Sequence, residues 1–522
     1  MSKMLKATGA MGAATLLSRI LGMVREIVYA RFMGDGAVAG AFQVAFQIPN
    51  LFRRLLGEGA LNAAFIPVFK EKEKTAGESE MWRAANAVLS GLIVVAAVIV
   101  VVAVLGISIA LVALKSAPET RLMFELLRLM FPYMLLVCLA AVFMGMLNAR
   151  GHFFIPALSP VLLNLVMIAS VLWLAPRMGA TLSQQIFALA IGVVVAGVAQ
   201  AMFQVPTLFR EGFRYRWESP WRNETVRRVV KQMLPGVIGV AAFQINVLLT
   251  QVLAFWCGSE GQPIVASFNY AVRLMELPQG VFGISLATFL LPTLSGLAAE
   301  KKYDDFRATL REGLGYLCFV NLLCAALLFA LATPIVRLLF ERGEFDASST
   351  ERAAFALMFL APGLVAFSVV NVFARAFYAV GDTRTPMRIS VLCLVLNLLL
   401  AVVFIFPLRQ GGLALANTLT SLVNLWLLTF ALRKKLKKLD FHRLPATVAN
   451  CLGAAVAAGG VAWFAASQWQ QHVGHANIWA RLGEVFVPMT VAGILYVALA
   501  AALKVNAAHG LIAVLGRRPG RS

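Results

Sequence analysis

The sequence predicts an all-α polytopic membrane protein, and three observations predict it. Of 522 residues, 60% are hydrophobic and only 14% are charged. Apolar runs of helix-spanning length recur from one end of the chain to the other. The runs are continuous rather than alternating, which excludes a β-barrel. Fourteen transmembrane helices are expected, at about 8–32, 37–69, 84–114, 121–148, 154–176, 183–209, 227–257, 263–298, 306–333, 351–380, 386–407, 411–432, 444–467 and 478–503.

The formal net charge of +21 would suit a nucleic-acid binder, but the Lys and Arg residues lie in short loops between apolar runs. Topology and anionic lipid headgroups account for that placement, so membrane lipids and not nucleic acid are the expected partners. With both termini cytoplasmic, the even-numbered loops are inside. They hold roughly two dozen Lys and Arg against about nine in the odd-numbered ones, the asymmetry of the positive-inside rule. The sixth loop region, RYRWESPWRNETVRR at 214–228, adds Trp217 and Trp221 to its basic residues. That composition fits a segment on the inner membrane surface, and equally a plain topology signal.

The start of the chain resembles a signal peptide, but Arg19 interrupts its apolar part, and a retained first helix is expected. The six cysteines form no CxxC or Cys/His cluster, so neither a disulfide framework nor a metal site is expected, and no cofactor. Pro132, Gly151 and Pro156 recur as Pro362, Gly381 and Pro386 at one offset of 230 residues, as do Phe143 with Phe373 and Ala149 with Ala379. An offset of six helices preserves orientation, which predicts two parallel, pseudo-symmetric six-helix lobes plus two C-terminal helices. The expected division is 1–210 for the first lobe, 211–226 for an interfacial linker, 227–435 for the second lobe, and 436–522 for the extra helices and tail.

Charge inside these spans is the functional signal. The second span, 37–69, carries Arg53, Arg54 and Glu58 at its middle, with Asn50 just before them. The first carries Arg19, Arg25 and Glu26, and the eighth carries Arg273 and Glu276 just before Pro278. Arg54 and Glu58 are spaced i,i+4 and can pair; Arg273 and Glu276 are spaced i,i+3. One arginine at the centre of a spanning helix costs about 2.5–3.5 kcal/mol, so these groups should face a wet cavity. Ion pairing and snorkelling are the structural alternative. Five arginines against three carboxylates leave positive charge that an anionic ligand would neutralise, and a guanidinium fork suits phosphate oxygens. Gln43, Gln47, Gln244, Asn246 and Asn269 are polar candidates for the same cleft, or for hydrogen bonds between helices.

The motifs SRILGMVRE at 18–26, PNLFRRLLGEGALNAAFIPVF at 49–69, YAVRLMELPQGVFGISLATFLLPTLS at 270–295 and GDTRTP at 381–386 resemble the MurJ (MviN) family of lipid II flippases. That family lies within the multidrug/oligosaccharidyl-lipid/polysaccharide exporter superfamily. The resemblance implies a transporter, not an enzyme, that moves an undecaprenyl-diphosphate-linked peptidoglycan precursor from the inner to the outer leaflet of the bacterial plasma membrane. It implies two lobes around a cationic cavity, with the last two helices forming a groove for the polyprenyl tail. It places the family's essential arginines, the substrate contacts, at Arg19, Arg25, Arg53 and Arg273 and an acidic partner at Glu58; the residues themselves add Arg54, Glu26, Glu276 and Asn50 as cavity or gating contacts. Cell-wall synthesis proteins are further candidate partners. The chain departs from the family pattern at Gly40 and Val272, where acidic residues are common, so those carboxylates have no counterpart here. Asn397 in the eleventh helix comes without a carboxylate, and no sodium site is expected. The rivals are a related polysaccharide-lipid flippase, a drug/cation antiporter, which would need carboxylates facing its substrate, and a membrane enzyme, which would need an acidic loop motif.

Overall fold

Continuous apolar sequence gives long helices, and charge, proline and glycine decide where they break. The computed structural model describes residues 3–57, 60–258, 263–436 and 444–516, and every regular element among them is a helix. In chain order these are α1 (Lys3–Met33), α2 (Ala37–Phe52), α3 (Ala60–Ala113), α4 (Pro118–Met130), α5 (Tyr133–Ala149), α6 (Phe154–Ala169), α7 (Leu182–Gln185), α8 (Phe187–Met202), α9 (Val205–Arg210) and α10 (Glu224–Cys257). There follow α11 (Val265–Pro278), α12 (Ser285–Ala299), α13 (Tyr303–Ala330), α14 (Ala332–Phe340), α15 (Ala347–Leu360), α16 (Leu364–Ala379), α17 (Arg384–Lys435), α18 (Leu444–His472), α19 (Ile478–Ala502) and α20 (Asn506–Gly516).

Among the described residues, nine helices are long and apolar enough to cross a membrane. The number is ten if the pair α4–α5, bent by 41°, is one span. The chain is therefore a multi-pass membrane protein. The expected second span falls short because it is not one helix: α2 ends after 16 residues and gives way to a π-helical segment, Arg53–Gly57. The expectation of an unbroken helix over 37–69 is corrected on that point. Pro49 lies inside α2, where it removes one backbone donor and crowds the carbonyl four residues earlier. In two places one helix follows another with no loop between them: α3 comprises two helices joined at a kink at Gly77 (φ 83°), and α17 two joined at Arg409 (φ 48°).

Packing divides the chain into two units, Met1–Val265 and Ala266–Ser522. The boundary falls after α10, because α10 packs on α2 and α3, and so differs from the sequence-based division at 226/227. In the first unit α1 packs on α6 and α5 packs on α8; Gly197 lets α8 approach α5, since a Cβ there would come within 2.8 Å of the Tyr133 ring. An aromatic core of Phe69, Trp82, Phe143 and Phe213 closes one end. In the second unit α13 packs against α16 and α18, and α18 against α19. The buried stripe Cys451, Ala454, Ala455, Ala458, Gly459 and Ala462 brings α18 close to its neighbours, and Tyr496 of α19 donates a 2.6 Å hydrogen bond to the Phe319 carbonyl of α13.

The local breaks recur between units. Pro132 lies at the α4–α5 bend, and Pro362 lies in the 3-10 turn Ala361–Gly363 between α15 and α16. Gly151 (φ 88°) and Gly381 (φ 75°), 230 residues apart, both adopt the left-handed backbone that glycine tolerates. The π segment Arg53–Gly57 has a counterpart in Gln279–Ile284, after Pro278, and a third lies at Ser170–Leu174.

Loops expected on the same side meet within each unit. Arg150 contacts Glu73 at 2.6 Å, Glu78 at 2.8 Å and Glu211 at 2.8 Å, joining the second, fourth and sixth loops. Hydrogen bonds from Arg150 and then His152 hold the Glu211 carboxyl below the usual carboxylate range. A depressed folded value means that the stabilisation is complete above the unfolded value of about 4.3 and is lost as pH falls through the folded one. Thermal unfolding of purified protein between pH 6 and pH 3 should thus show a steeper loss for wild type than for Glu211→Gln. Arg150→Ala should cost on the order of 1 kcal/mol at neutral pH. In the second unit Lys435 reaches Asp382 at 3.3 Å, and Arg307 donates to the Leu436 carbonyl at 3.1 Å.

Candidate functional site

The charged residues of the spans lie inside α1, in the π break after α2 and near the end of α11, and most are held by a neighbour. On α1, Arg25 Nη2 donates to Glu26 Oε1 at 2.5 Å, and its guanidinium lies 5.4 Å from the centre of the Tyr29 ring. Both members of that pair are largely buried, with 14% and 11% of their side chains exposed. Adjacent residues on a helix do not face each other, so the contact depends on arginine's length and was not expected from the sequence. Arg19 is exposed and makes no hydrogen bond or ion pair among the described residues. The helix carrying it is fixed by Asn164 of α6, whose Nδ2 donates to the Ser18 carbonyl at 3.1 Å.

The π segment holds the next two. Arg53 Nε donates to Oδ1 of buried Asn50 at 2.8 Å, one turn back across the break. Arg54 Nη1 donates to Oε1 of Gln244 on α10 at 3.3 Å, tying the second span to the seventh. A π segment adds a residue to the turn and turns neighbouring side chains to different sides, which is why such segments occur at functional sites. Here Arg53 and Arg54 reach different partners. Glu58, the expected partner of Arg54, lies outside the described residues.

In the second unit Arg273 donates from Nη1 to Glu276 Oε2 at 2.8 Å, the i,i+3 pair read from the sequence, with both side chains nearly half exposed. Gly40 is buried and faces Phe255 and Val265. Asn397 Nδ2 donates to Asn417 Oδ1 at 2.7 Å, joining the two arms of α17. The structure thus joins Arg25 with Glu26, Arg53 with Asn50, Arg54 with Gln244 and Arg273 with Glu276. Two features escaped the sequence. The π segments are one, though a nearby proline (Pro49, Pro278 and Pro176) was a signal for each. The buried pair Arg337–Glu484, at 2.6 Å, is the other; an acidic residue inside the fourteenth apolar run was its signal.

The first unit also has an open cavity of about 540 Å³ where the first and third loops meet the end of α10, lined by Gly36, Glu119, Thr120, Phe255 and Trp256 among others. With the even-numbered loops gathered at Arg150, odd and even loops are segregated inside this unit.

A multi-pass helical bundle that keeps charged groups inside its spans, two of them in a π break, is a membrane transporter. The sequence model described as lipid II flippase MurJ matches residues 29–481, and the chain belongs to that family. The probable lipid II flippase MurJ of Haemophilus influenzae is 33% identical over 491 residues, which cover 90% of this chain and 92% of that one. The lipid II flippase MurJ of Burkholderia cenocepacia is 34% identical over 430 residues, covering 81% and 82%. A solved lipid II flippase MurJ in an inward closed conformation matches with a TM-score of 0.76 at 21% identity, over 94% of this chain and 98% of that one. An inward-facing multidrug resistance MATE family transporter of the MOP superfamily matches at 0.63 and 14% identity, over 83% and 99%. Those two likenesses speak to the fold alone.

Proposed function

We infer that this chain carries the lipid-linked peptidoglycan precursor, lipid II, from the inner to the outer leaflet by alternating access. The observation that carries the reading is the π break at Arg53–Gly57, which sets two guanidiniums in the middle of an apolar span. Arg25, Arg53 and Arg273 would hold the diphosphate, with Arg19 completing the substrate contacts. Arg54, Glu58, Glu26, Glu276 and Asn50 would shape the cavity and its gating. A guanidinium presents five donors in a planar fork, so Arg25 can keep Glu26 on one edge and take a phosphate oxygen on another. The polyprenyl tail stays in lipid while the headgroup crosses. Fourteen spans in a six, six and two arrangement, with both termini cytoplasmic, belong to the same reading; the segregated loops and the breaks repeated between units support it. A drug/cation antiporter would need carboxylates in excess, and the span charges run the other way.

The test is replacement. In a Gram-negative host depleted of its own lipid II flippase, expression of this chain should restore growth and clear the inner-leaflet precursor pool. Growth without clearance, or no growth despite folded protein in the membrane, would count against the assignment.

The same reading names a driving force. Two diphosphate charges moving outward, away from an electrically negative cytoplasm, gain roughly 4–5 kcal/mol across 100 mV. Transport in proteoliposomes should therefore follow an imposed potential when the sodium gradient is held at zero. Transport that ignores potential and follows sodium would refute this and turn attention to Asn397 and Gln244.

A further inference from the structure

The segment between α9 and α10 is tied down along α3, although it belongs to no helix. Asn86 Nδ2 donates to the Arg214 carbonyl at 3.0 Å, Ser90 and Tyr215 share a 3.2 Å hydroxyl contact, and the Glu218 amide donates to Ser90 Oγ at 3.4 Å. Arg83 reaches Glu218 at 3.3 Å, and Pro220 lies so near Gly91 that a Cβ there would meet it at 3.1 Å. Positions 83 to 91 of a helix span about 12 Å, so the segment covers the early turns of the second arm of α3, after the kink at Gly77, where its apolar run begins. Asn86 and Ser90 are buried beneath it.

What the segment turns outward is aromatic and basic. Trp217 is 58% exposed and Trp221 is 73% exposed. Arg214 is committed, with its guanidinium over the Phe209 ring at 4.7 Å and donating to the Phe209 and Phe213 carbonyls. Arg216 and Arg222 are exposed and make no hydrogen bond or ion pair among the described residues. A tethered strip with two outward indoles and two uncommitted guanidiniums, beside the start of an apolar helix, has the chemistry of the headgroup zone. Indoles prefer that depth, and arginines take phosphodiesters there.

We propose that residues 214–222 are a docking site for anionic phospholipid. Arg216 and Arg222 bind the phosphodiester headgroup, and Trp217 and Trp221 seat at the boundary between headgroup and acyl chain. The site is separate from the arginines of the spans and takes a bulk lipid rather than the transported one. At about 1 kcal/mol for each arginine at such a surface, losing both weakens retention by about thirtyfold.

The experiment uses the purified full-length chain in nanodiscs of phosphatidylcholine with or without phosphatidylglycerol. Native mass spectrometry should show wild type retaining phosphatidylglycerol over phosphatidylcholine, and R216Q/R222Q losing that preference by roughly the factor above. Lipids brominated high on the acyl chain should quench wild-type tryptophan emission more than that of W217F/W221F. All four positions are surface residues, so unchanged thermal midpoints should confirm that both variants are folded. Retention in R216Q/R222Q equal to wild type, or equal quenching in W217F/W221F, overturns the proposal. Displacement of phosphatidylglycerol by added polyprenyl diphosphate also overturns it, because the site would then belong to the transported lipid.

Discussion

Arg53→Ala should abolish translocation and leave folded protein in the membrane, and Arg25→Ala and Arg273→Ala should do the same. Hydrogen bonds to a charged partner are worth about 1.5–3 kcal/mol each, and a guanidinium fork makes two, so losing one arginine slows transport by roughly a hundredfold or more. Arg53→Ala strands the amide of Asn50, an uncharged partner. Arg25→Ala also strips Glu26 of its partner inside a largely buried pair, so its loss of activity must be read against the amount of folded protein. Lysine at each position should rescue only in part, supplying charge without the planar fork. Normal growth and translocation in all three alanine variants would refute the diphosphate clamp.

Glu484→Ala should produce the largest loss of stability. Glu484 is 1% exposed and lies 2.6 Å from Arg337, joining α19 to α14. A second tie runs beside it from Arg481 to Glu341 at 3.2 Å. Removing one partner of a buried ion pair costs about 3–5 kcal/mol when the other charge is left unpaired, whereas replacing both by apolar residues is often neutral; Arg337 keeps Glu341 at 3.6 Å, which places Glu484→Ala at the lower end. Glu484→Ala should therefore lower the thermal midpoint of the purified protein sharply, and E484L/R337M should recover most of the difference. A double variant as unstable as the single one would show that the pair contributes packing rather than charge.

The helical class was legible because hydropathy is a property of whole segments and needs no partner. The matching breaks at Pro132 and Gly151 and at Pro362 and Gly381 were legible because proline and glycine each fix a backbone shape by themselves. Gly151 and its counterpart Gly381 do take the same left-handed conformation. The Arg273–Glu276 pair followed from helical spacing. Arg25–Glu26 did not, since a regular helix sends adjacent side chains apart, and Arg54–Gln244 spans 190 residues that no local rule connects. The π segment at Arg53 defeated a reading based on regular periodicity, because the same apolar text supports a straight helix until Pro49 is weighed. Arg337–Glu484 was missed because one partner lies in a loop-side helix and the other deep in a span.

The most direct measurement follows the headgroup itself. Purified chain is reconstituted with lipid II confined to one leaflet, and a membrane-impermeant probe reports headgroup on the opposite face over time. Wild-type vesicles should expose the headgroup far faster than protein-free vesicles, and Arg53→Ala vesicles should track the protein-free rate. Equal exposure in wild-type and Arg53→Ala vesicles would contradict the claim that these arginines carry the diphosphate across.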